Sequence, residues 1–176
     1  MDLENTWMNQ FTAVCAIRRS KVVIVLMGAL FGIATLINNF TDYTAYTEYI
    51  GRIISMSHTE GNDSRRYRAV TSTLFHHRFY WAIITLEIIY TFSCLYGAYQ
   101  LFRNLNKSRN EFHEAKKFAI VGLTTAIFVY YVLYVVVLNE WFDMEYSAQQ
   151  NAFDWARSNI EYMFFALIYL VLVYDK

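Results

Sequence analysis

Glu87 is an ionisable residue in an apolar segment, and helix packing alone does not explain its presence there. It lies inside a long apolar run, FYWAIITLEIIYTFSCLYGAY, at residues 79–99. A charged side chain at the centre of a membrane helix costs roughly 2.5–3.5 kcal/mol on insertion scales. We therefore expect Glu87 to have a partner, which could be a proton, a hydrogen-bonding side chain or a bound ligand.

Other polar side chains are predicted to reach the same depth of the bilayer, its outer third. With a rise of about 1.5 Å per residue, Glu87 lies about 12 Å from the outer end of its predicted helix. The neighbouring candidates for a polar cluster or a ligand site are Asn38, Asn39, Glu140, Arg157 and Glu161. We expect Arg157 to pair with Glu161, one helical turn away, or with Glu140, and to be the one cation able to neutralise Glu87.

Three interpretations of this polar cluster stay open. It could be a hydrogen-bonded network that locks the helices together. It could be a pocket for a small ligand, a lipid headgroup or a partner's side chain. It could also be part of a proton or cation pathway, but the inner half of the predicted helices carries few polar residues, and this argues against a through-pore.

The elements that position these residues are predicted to be membrane helices. The chain of 176 residues is 56% hydrophobic and only 17% charged, while soluble proteins are about 25% charged. An apolar helix needs about 20 residues to cross a bilayer. Four segments fit, at about 22–40, 79–102, 118–139 and 155–174, and the last is the least apolar. The sequence predicts one all-α domain over residues 1–176, a four-helix transmembrane bundle.

Basic residues indicate the orientation, because Lys and Arg are enriched in cytoplasmic connectors. They concentrate before span one, between spans two and three, and at the end of the chain. Both termini are therefore predicted to be cytoplasmic, in a multi-pass protein of the membrane. The connector at 41–78 would then lie outside. Within it, Tyr46, Tyr49, Ile50, Ile53 and Ile54 share one face, so we expect an amphipathic outer, periplasmic helix.

Small residues indicate where helices pack closely. Gly28, Gly32 and Thr35 form a stripe on span one, and Gly122 and Ala126 form a shorter one on span three. Such stripes let helix backbones approach one another. They favour packing inside one bundle, with packing between copies in a homo-oligomer as the alternative. On span two, Glu87 shares its face with the inward set Tyr90, Thr91, Cys94, Gly97 and Ala98.

Several functional classes find no support in the sequence. The two cysteines have no metal or redox spacing, and no nucleophile elbow, phosphate loop or zinc-protease motif occurs. The predicted spans contain no two histidines that face each other, as a membrane haem would require. We therefore predict no enzymatic activity, no metal, no cofactor and no nucleic-acid partner.

Several short motifs resemble an uncharacterised family of bacterial predicted small integral membrane proteins. They are the run Asn38-Asn39-x-Thr41-Asp42-Tyr43, then Glu87, then Glu140-Trp141-Phe142-x-Met144 with Ser147, and finally Asn151 and Arg157. The resemblance covers nearly the whole chain. It implies four membrane helices and a location in the bacterial inner membrane, and it implies no activity.

The preferred functional hypothesis is a small accessory or assembly subunit that packs against itself or against a larger membrane protein complex within the lipid bilayer. The alternative is a small transporter or channel-like protein that uses the outer-leaflet polar cluster around Glu87.

Overall fold

The computed structural model describes residues 12–57, 63–146 and 151–172, and throughout these ranges the regular structure is helical. The main helices are α1 (Ala13–Thr41), α2 (Tyr43–Ile54), α3 (Thr73–Arg103), α4 (Arg109–Glu114), α5 (Lys117–Ile127) and α6 (Asn151–Leu172). Short 3₁₀ turns span Asp63–Arg68 and Met144–Tyr146. The protein is an α-helical membrane bundle.

The third long helix changes its winding part of the way along. After α5 the backbone becomes π-helical over Phe128–Trp141, and its last bond runs from Phe142 N to the oxygen of Val137, five residues back. Such wide turns are rare in proteins overall, and those that occur are often found at functional sites. The chain contains no proline, so no helix-breaking residue marks this change of winding.

Three stretches are long and apolar enough to cross a membrane: α1, α3, and the continuous stretch Arg109–Trp141. They contain the predicted spans 22–40, 79–102 and 118–139 and extend a few residues beyond each. The fourth predicted span, 155–174, corresponds to α6, whose first half carries Asp154, Arg157 and Glu161. That α6 also crosses the bilayer stays a prediction, and residues 173–174 lie outside the described ranges.

Helix α3 is the centre of the bundle and packs along α1 on one side and α5 on the other, while α6 packs against α5 and the π-helix. Its inward face is the one the sequence indicates: Glu87, Tyr90, Thr91, Cys94, Gly97 and Ala98 are all buried. Exposed residues such as Phe92 and Phe102 cover its other face. Apolar side chains that face outwards in this way suit a helix surrounded by lipid.

The contact between α3 and α5 brings two helix backbones close together. A side chain added at Gly97 would meet the backbone of Ala119, and one at Gly122 would meet Cys94 Sγ and the backbone nitrogen of Cys94. These two glycines therefore set the distance between the two helices. Ala126 is buried one turn beyond Gly122.

The small-residue stripe of α1 also faces the interior. Gly32 lies against Thr91 and Tyr90 of α3, and Gly28 faces Met163 of α6 and Leu123 of α5. Thr35 donates a hydrogen bond to the backbone oxygen of Phe31 at 3.0 Å. Because these contacts lie within one chain, the stripe does not offer a surface to a second copy.

Helix α2 covers one end of the bundle, together with residues 63–72 and 142–146; we call this the α2 end. Ile50, Ile53 and Ile54 point into the bundle and are buried, Tyr49 is partly buried and Tyr46 is exposed. This is the amphipathic helix expected after span one. Residues 103–117 form the opposite end, where Ser108 and Glu111 make a capping box at the start of α4.

Candidate ligand-binding site

Glu87 is completely buried on the inward face of α3. The side-chain amide of Asn39, on α1, donates a hydrogen bond to Glu87 Oε2. Glu87 Oε1 is also buried, and it has no hydrogen-bond partner among the residues that the structure describes. A buried carboxyl group normally has its oxygens hydrogen-bonded or paired with a cation. The site therefore contains one unused acceptor.

A cavity of about 420 Å³ lies beside this hydrogen bond, between α1, α2 and α6. Asn39, Ile50, Tyr80 and Tyr134 line its buried part. The hydroxyl of Tyr80 is buried and has no hydrogen-bond partner among the described residues, so the cavity wall contains an unused polar group. Such an atom is unusual, because buried polar groups are nearly always satisfied.

The mouth of the cavity is formed by residues that are exposed at the surface of the bundle. Asn38, Tyr46 and Trp155 all line the cavity and are exposed. Asn38 is thus placed at the entrance, while Asn39, the next residue, is turned inwards to Glu87. The two adjacent asparagines have different positions because successive residues of a helix point about 100° apart.

Aromatic rings surround the cavity. Trp155 stands edge-on to Tyr134, with ring centroids 5.7 Å apart, and packs against Phe31 at 6.1 Å. On α2, burial raises the pKa of Tyr49 to about 12, so its phenol stays neutral at physiological pH. The full set of aromatic residues in the lining is Phe31, Tyr46, Tyr49, Tyr80, Tyr134 and Trp155.

Tyr134 reaches this cavity from the π-helix. The buried residues of this segment are Val129, Tyr130, Tyr134, Leu138 and Asn139. Tyr130 lies deeper, where its hydroxyl makes a hydrogen bond of 3.0 Å with that of Tyr90. Both tyrosines therefore lie on the inward side of the helix.

The core is closed between Glu87 and the opposite end of the bundle. The Tyr90–Tyr130 pair is fully buried below Glu87, and the close contacts at Gly122 and Gly97 follow along α3. The described residues therefore show a cavity at the α2 end that does not continue as a polar path through the bundle.

Arg157 and Glu161 do not join Glu87, contrary to the expected convergence. They form an ion pair with each other, Arg157 Nε to Glu161 Oε1 at 3.3 Å, and their side chains are 67% and 60% exposed. The pair itself was expected, but its place was not. Helix α6 turns Ala156, Met163, Ala166 and Leu170 towards the bundle, and this leaves the charged pair on the outer face.

Glu140 is also separate from Glu87. It is exposed at the end of the π-helix, where Asn139 donates a hydrogen bond to its carboxylate at 3.2 Å. Asn139 is buried and accepts a hydrogen bond from the backbone nitrogen of Glu145 at 3.0 Å. These two residues thus fix the end of the helix.

A second feature of the α2 end is an arginine–aromatic patch, formed by Tyr67, Arg68 and Trp141. The guanidinium of Arg68 lies 4.6 Å from the ring centre of Trp141 and 5.5 Å from that of Tyr67. Tyr67 is 76% exposed and Trp141 51% exposed. Next to the patch, Arg65 pairs with the buried carboxylate of Asp143 at 2.7 Å, which fastens the 3₁₀ turn to the end of the π-helix.

The histidines near this end have structural contacts. The Nε2 of His76 donates to the backbone oxygen of Val70 at 2.6 Å, and the Nδ1 of His77 bonds the hydroxyl of Tyr43 at 2.9 Å. Across the described ranges no group of three metal-ligating side chains comes together. His58 lies outside the described residues.

Sequence reasoning found Glu87, Asn38 and Asn39 but missed the aromatic wall. Tyr80, Tyr134 and Trp155 come from three different helices, and no spacing along the chain connects them. One signal was available, since Tyr46 and Tyr49 lie on the apolar face of an amphipathic helix, and such a face is expected to pack against the bundle.

Comparison with protein families matches residues 17–174 to the family described as "Predicted small integral membrane protein (DUF2165)". The chain belongs to this family. The match confirms the resemblance carried by the motifs around Asn38, Glu87 and Glu140, and it fits the long apolar helices of the structure. Comparison with curated proteins and with solved structures gives no match.

Proposed function

We propose that this small integral membrane protein is a non-enzymatic accessory or assembly subunit that docks onto a larger membrane protein complex through its α2 end. The observation that carries the proposal is the arginine–aromatic patch of Tyr67, Arg68 and Trp141. Arg, Tyr and Trp are the residues most enriched among those that dominate binding energy at protein interfaces. Here the three lie together at the surface, with Tyr67 and Trp141 exposed and Arg68 half-buried.

The patch is held in place before any partner arrives. Arg68 Nη1 donates to the backbone oxygen of Trp141 at 3.3 Å, and the Arg65–Asp143 ion pair anchors the adjacent turn. Binding to a surface that is already ordered loses less conformational entropy. Self-association stays an alternative, and it would have to use this patch or the lipid-facing side chains, because the small-residue stripes are used inside the bundle.

For the location, we propose the bacterial inner membrane, with α6 as a fourth crossing and both termini in the cytoplasm. The support is the concentration of Arg18, Arg19, Lys21, Lys107 and Lys116 at the opposite end of the bundle. The α2 end would then face the periplasm.

A second candidate function is a small transporter or channel-like protein, and the observation that favours it is the unpartnered Oε1 of buried Glu87. Ionisable residues inside membrane helices often mark ion or proton pathways. A solute would have to pass the Tyr90–Tyr130 layer and the Gly97–Ala119 contact. The accessory function requires no such rearrangement and is preferred.

The decisive experiment is purification from native membranes in mild detergent, with quantitative mass spectrometry of what remains bound. We expect a partner in fixed stoichiometry that is lost when Tyr67→Ala and Trp141→Ala are combined. Phe92→Ala is the matched control, because Phe92 is an aromatic residue that is 64% exposed on α3. A partner retained by the double variant, or lost equally in the control, contradicts the proposal. Solute flux by the purified protein alone, abolished by Glu87→Gln, would support the second candidate instead.

A further inference from the structure

We propose that the cavity beside Glu87 binds an organic ammonium, a primary or secondary amine carried on a small apolar body. The inference rests on three observations: the aromatic lining, the buried carboxyl group of Glu87 behind the lining residue Asn39, and the unsatisfied hydroxyl of Tyr80 in the cavity wall. It is independent of the arginine–aromatic patch and of the accessory function.

The aromatic lining is the first argument. A cation above the face of a Tyr, Trp or Phe ring is attracted by the ring's quadrupole, and more strongly when water is excluded. Four of the lining residues, Tyr80, Tyr134, Trp155 and Phe31, come from four separate helical elements, so the rings enclose the space from several sides. An aromatic cage of this kind suits an ammonium group better than an anion.

The charge of Glu87 is the second argument. Among the described residues its one bonding partner is the neutral amide of Asn39, and no Lys or Arg side chain pairs with it. Arg157, the cation expected for this role, is paired with Glu161 at the surface. Burial favours the neutral form of a carboxyl group, and an opposite charge nearby favours its ionised form; a bound ammonium would provide that charge across the wall formed by Asn39.

The unsatisfied hydroxyl of Tyr80 is the third argument, because it defines what the ligand can donate. Tyr80 lines the cavity, and its hydroxyl is buried without a hydrogen-bond partner among the described residues. A phenol oxygen can accept a hydrogen bond, and an ammonium group carries two or three N–H donors.

The shape of the cavity indicates the rest of the ligand. Its volume of about 420 Å³ is within the usual range for small-molecule sites, roughly 300–1,000 Å³. Asn39, Tyr80 and Tyr134 lie at the inner end, while Asn38, Tyr46 and Trp155 stand at the mouth. The ammonium would therefore enter first, and its apolar body would remain between α1 and α6.

The test uses the full-length protein in nanodiscs of zwitterionic lipid, which removes binding of amines to anionic headgroups. Isothermal titration calorimetry compares 2-phenylethylamine with 2-phenylethanol, which has nearly the same shape and carries no charge. We expect saturable binding of the amine at one site per chain, at least about tenfold tighter than that of the alcohol. Equal binding of the two compounds, or no saturable binding of the amine, overturns the proposal.

Variants locate the site. Glu87→Gln is expected to abolish the preference for the amine, and Tyr80→Phe to weaken amine binding several-fold. Glu161→Gln, which removes an exposed carboxylate, is the matched control and should leave binding unchanged. If Glu87→Gln does not fold, Ala34→Trp takes its place: Ala34 is exposed and lines the cavity, so a large ring there should block amine binding. Full amine binding by Ala34→Trp would contradict the proposed location.

Discussion

The two ends of this bundle differ in what surrounds their buried polar groups. At the opposite end, Arg18 Nη1 donates two hydrogen bonds, to the backbone oxygens of Leu105 and Lys107, and the guanidinium lies 4.8 Å from the ring centre of Phe112. Among the described residues, Arg18 Nε at this end and Tyr80 and Glu87 at the α2 end each keep a buried polar atom without a partner. The difference is that the unsatisfied hydroxyl of Tyr80 lies in the wall of a cavity, whereas Arg18 is held by its backbone contacts.

Packing differs in the same direction. Helices α3 and α5 touch at Gly97 and Ala119 in the half nearer the opposite end. Towards the α2 end the third long helix becomes π-helical, and a cavity opens between α1, α2 and α6. A bundle can accommodate such a cavity because the closely packed half keeps the helices in register. The four substitutions below test this contrast.

Gly97→Val should have the largest effect. The new side chain would begin 2.7 Å from Ala119 Cα, and backbone atoms cannot move aside as a flexible side chain can. We expect a loss of about 3 kcal/mol or more in the free energy of unfolding, measured by titration of the detergent-solubilised protein with SDS. Gly28→Ala is the control, since its added carbon would meet Met163 Sδ at an ordinary 3.6 Å. Equal losses in both variants would mean that the α3–α5 contact is not the tight one.

Arg18→Met should have the next largest effect. It removes two hydrogen bonds from a charged donor and leaves two backbone oxygens without that partner. A cost of about 2–3 kcal/mol is expected in the same titration. Arg19→Met, one residue along and exposed, should cost far less. If the two substitutions have the same effect, the opposite end does not depend on the Arg18 contacts.

Asn39→Leu tests the hydrogen bond at the α2 end. It leaves the buried carboxyl of Glu87 without a partner, so we expect a loss of about 1–3 kcal/mol. Combining it with Glu87→Leu replaces both partners by apolar groups and should recover most of that loss. A double-mutant cycle measures the coupling between the two residues. Additive effects would show that the hydrogen bond contributes nothing to stability.

Arg157→Ala should have the smallest effect, about 0.5 kcal/mol or less. Its ion pair with Glu161 is largely exposed, and such pairs contribute little. Asp143→Asn is an informative comparison, because that carboxylate is buried under Arg65 and its loss should be more costly. A large effect of Arg157→Ala would indicate that Arg157 belongs to the polar cluster around Glu87, as the sequence predicts.

The helices could be predicted from the sequence because each depends on local information. Apolar length marks α1, α3 and the third long helix, and the spacing of Tyr90, Cys94 and Gly97 marks the inward face of α3. The amphipathic pattern of α2 is similarly local. The inward position of Glu87 followed from the high cost of placing its charge in lipid.

The arrangement around Glu87 could not be predicted in full because it depends on helix rotation. Depth along the helix placed Arg157 and Glu161 near Glu87, but the rotation of α6 is set by Ala156 and Met163, which pack inwards. Similarly, Tyr134 reaches the cavity through π-helical winding, which no proline or glycine in that segment signals. The depth of a residue in the membrane can be estimated from its position along a helix, whereas the rotation of that helix about its axis depends on tertiary packing.

The proposed preference of the α2-end cavity for cations depends on Glu87. Cysteine labelling measures this preference, with Ala34→Cys at the cavity in a Cys15→Ser background and Leu74→Cys, exposed at the start of α3, as the reference site. Labelling rates are compared for methanethiosulfonates that carry a trimethylammonium or a sulfonate group. We expect the cationic reagent to be favoured about tenfold more at position 34 than at position 74, and Glu87→Gln to remove this difference. An equal preference at both positions, or a preference unchanged by Glu87→Gln, would show that Glu87 does not make the cavity favour cations.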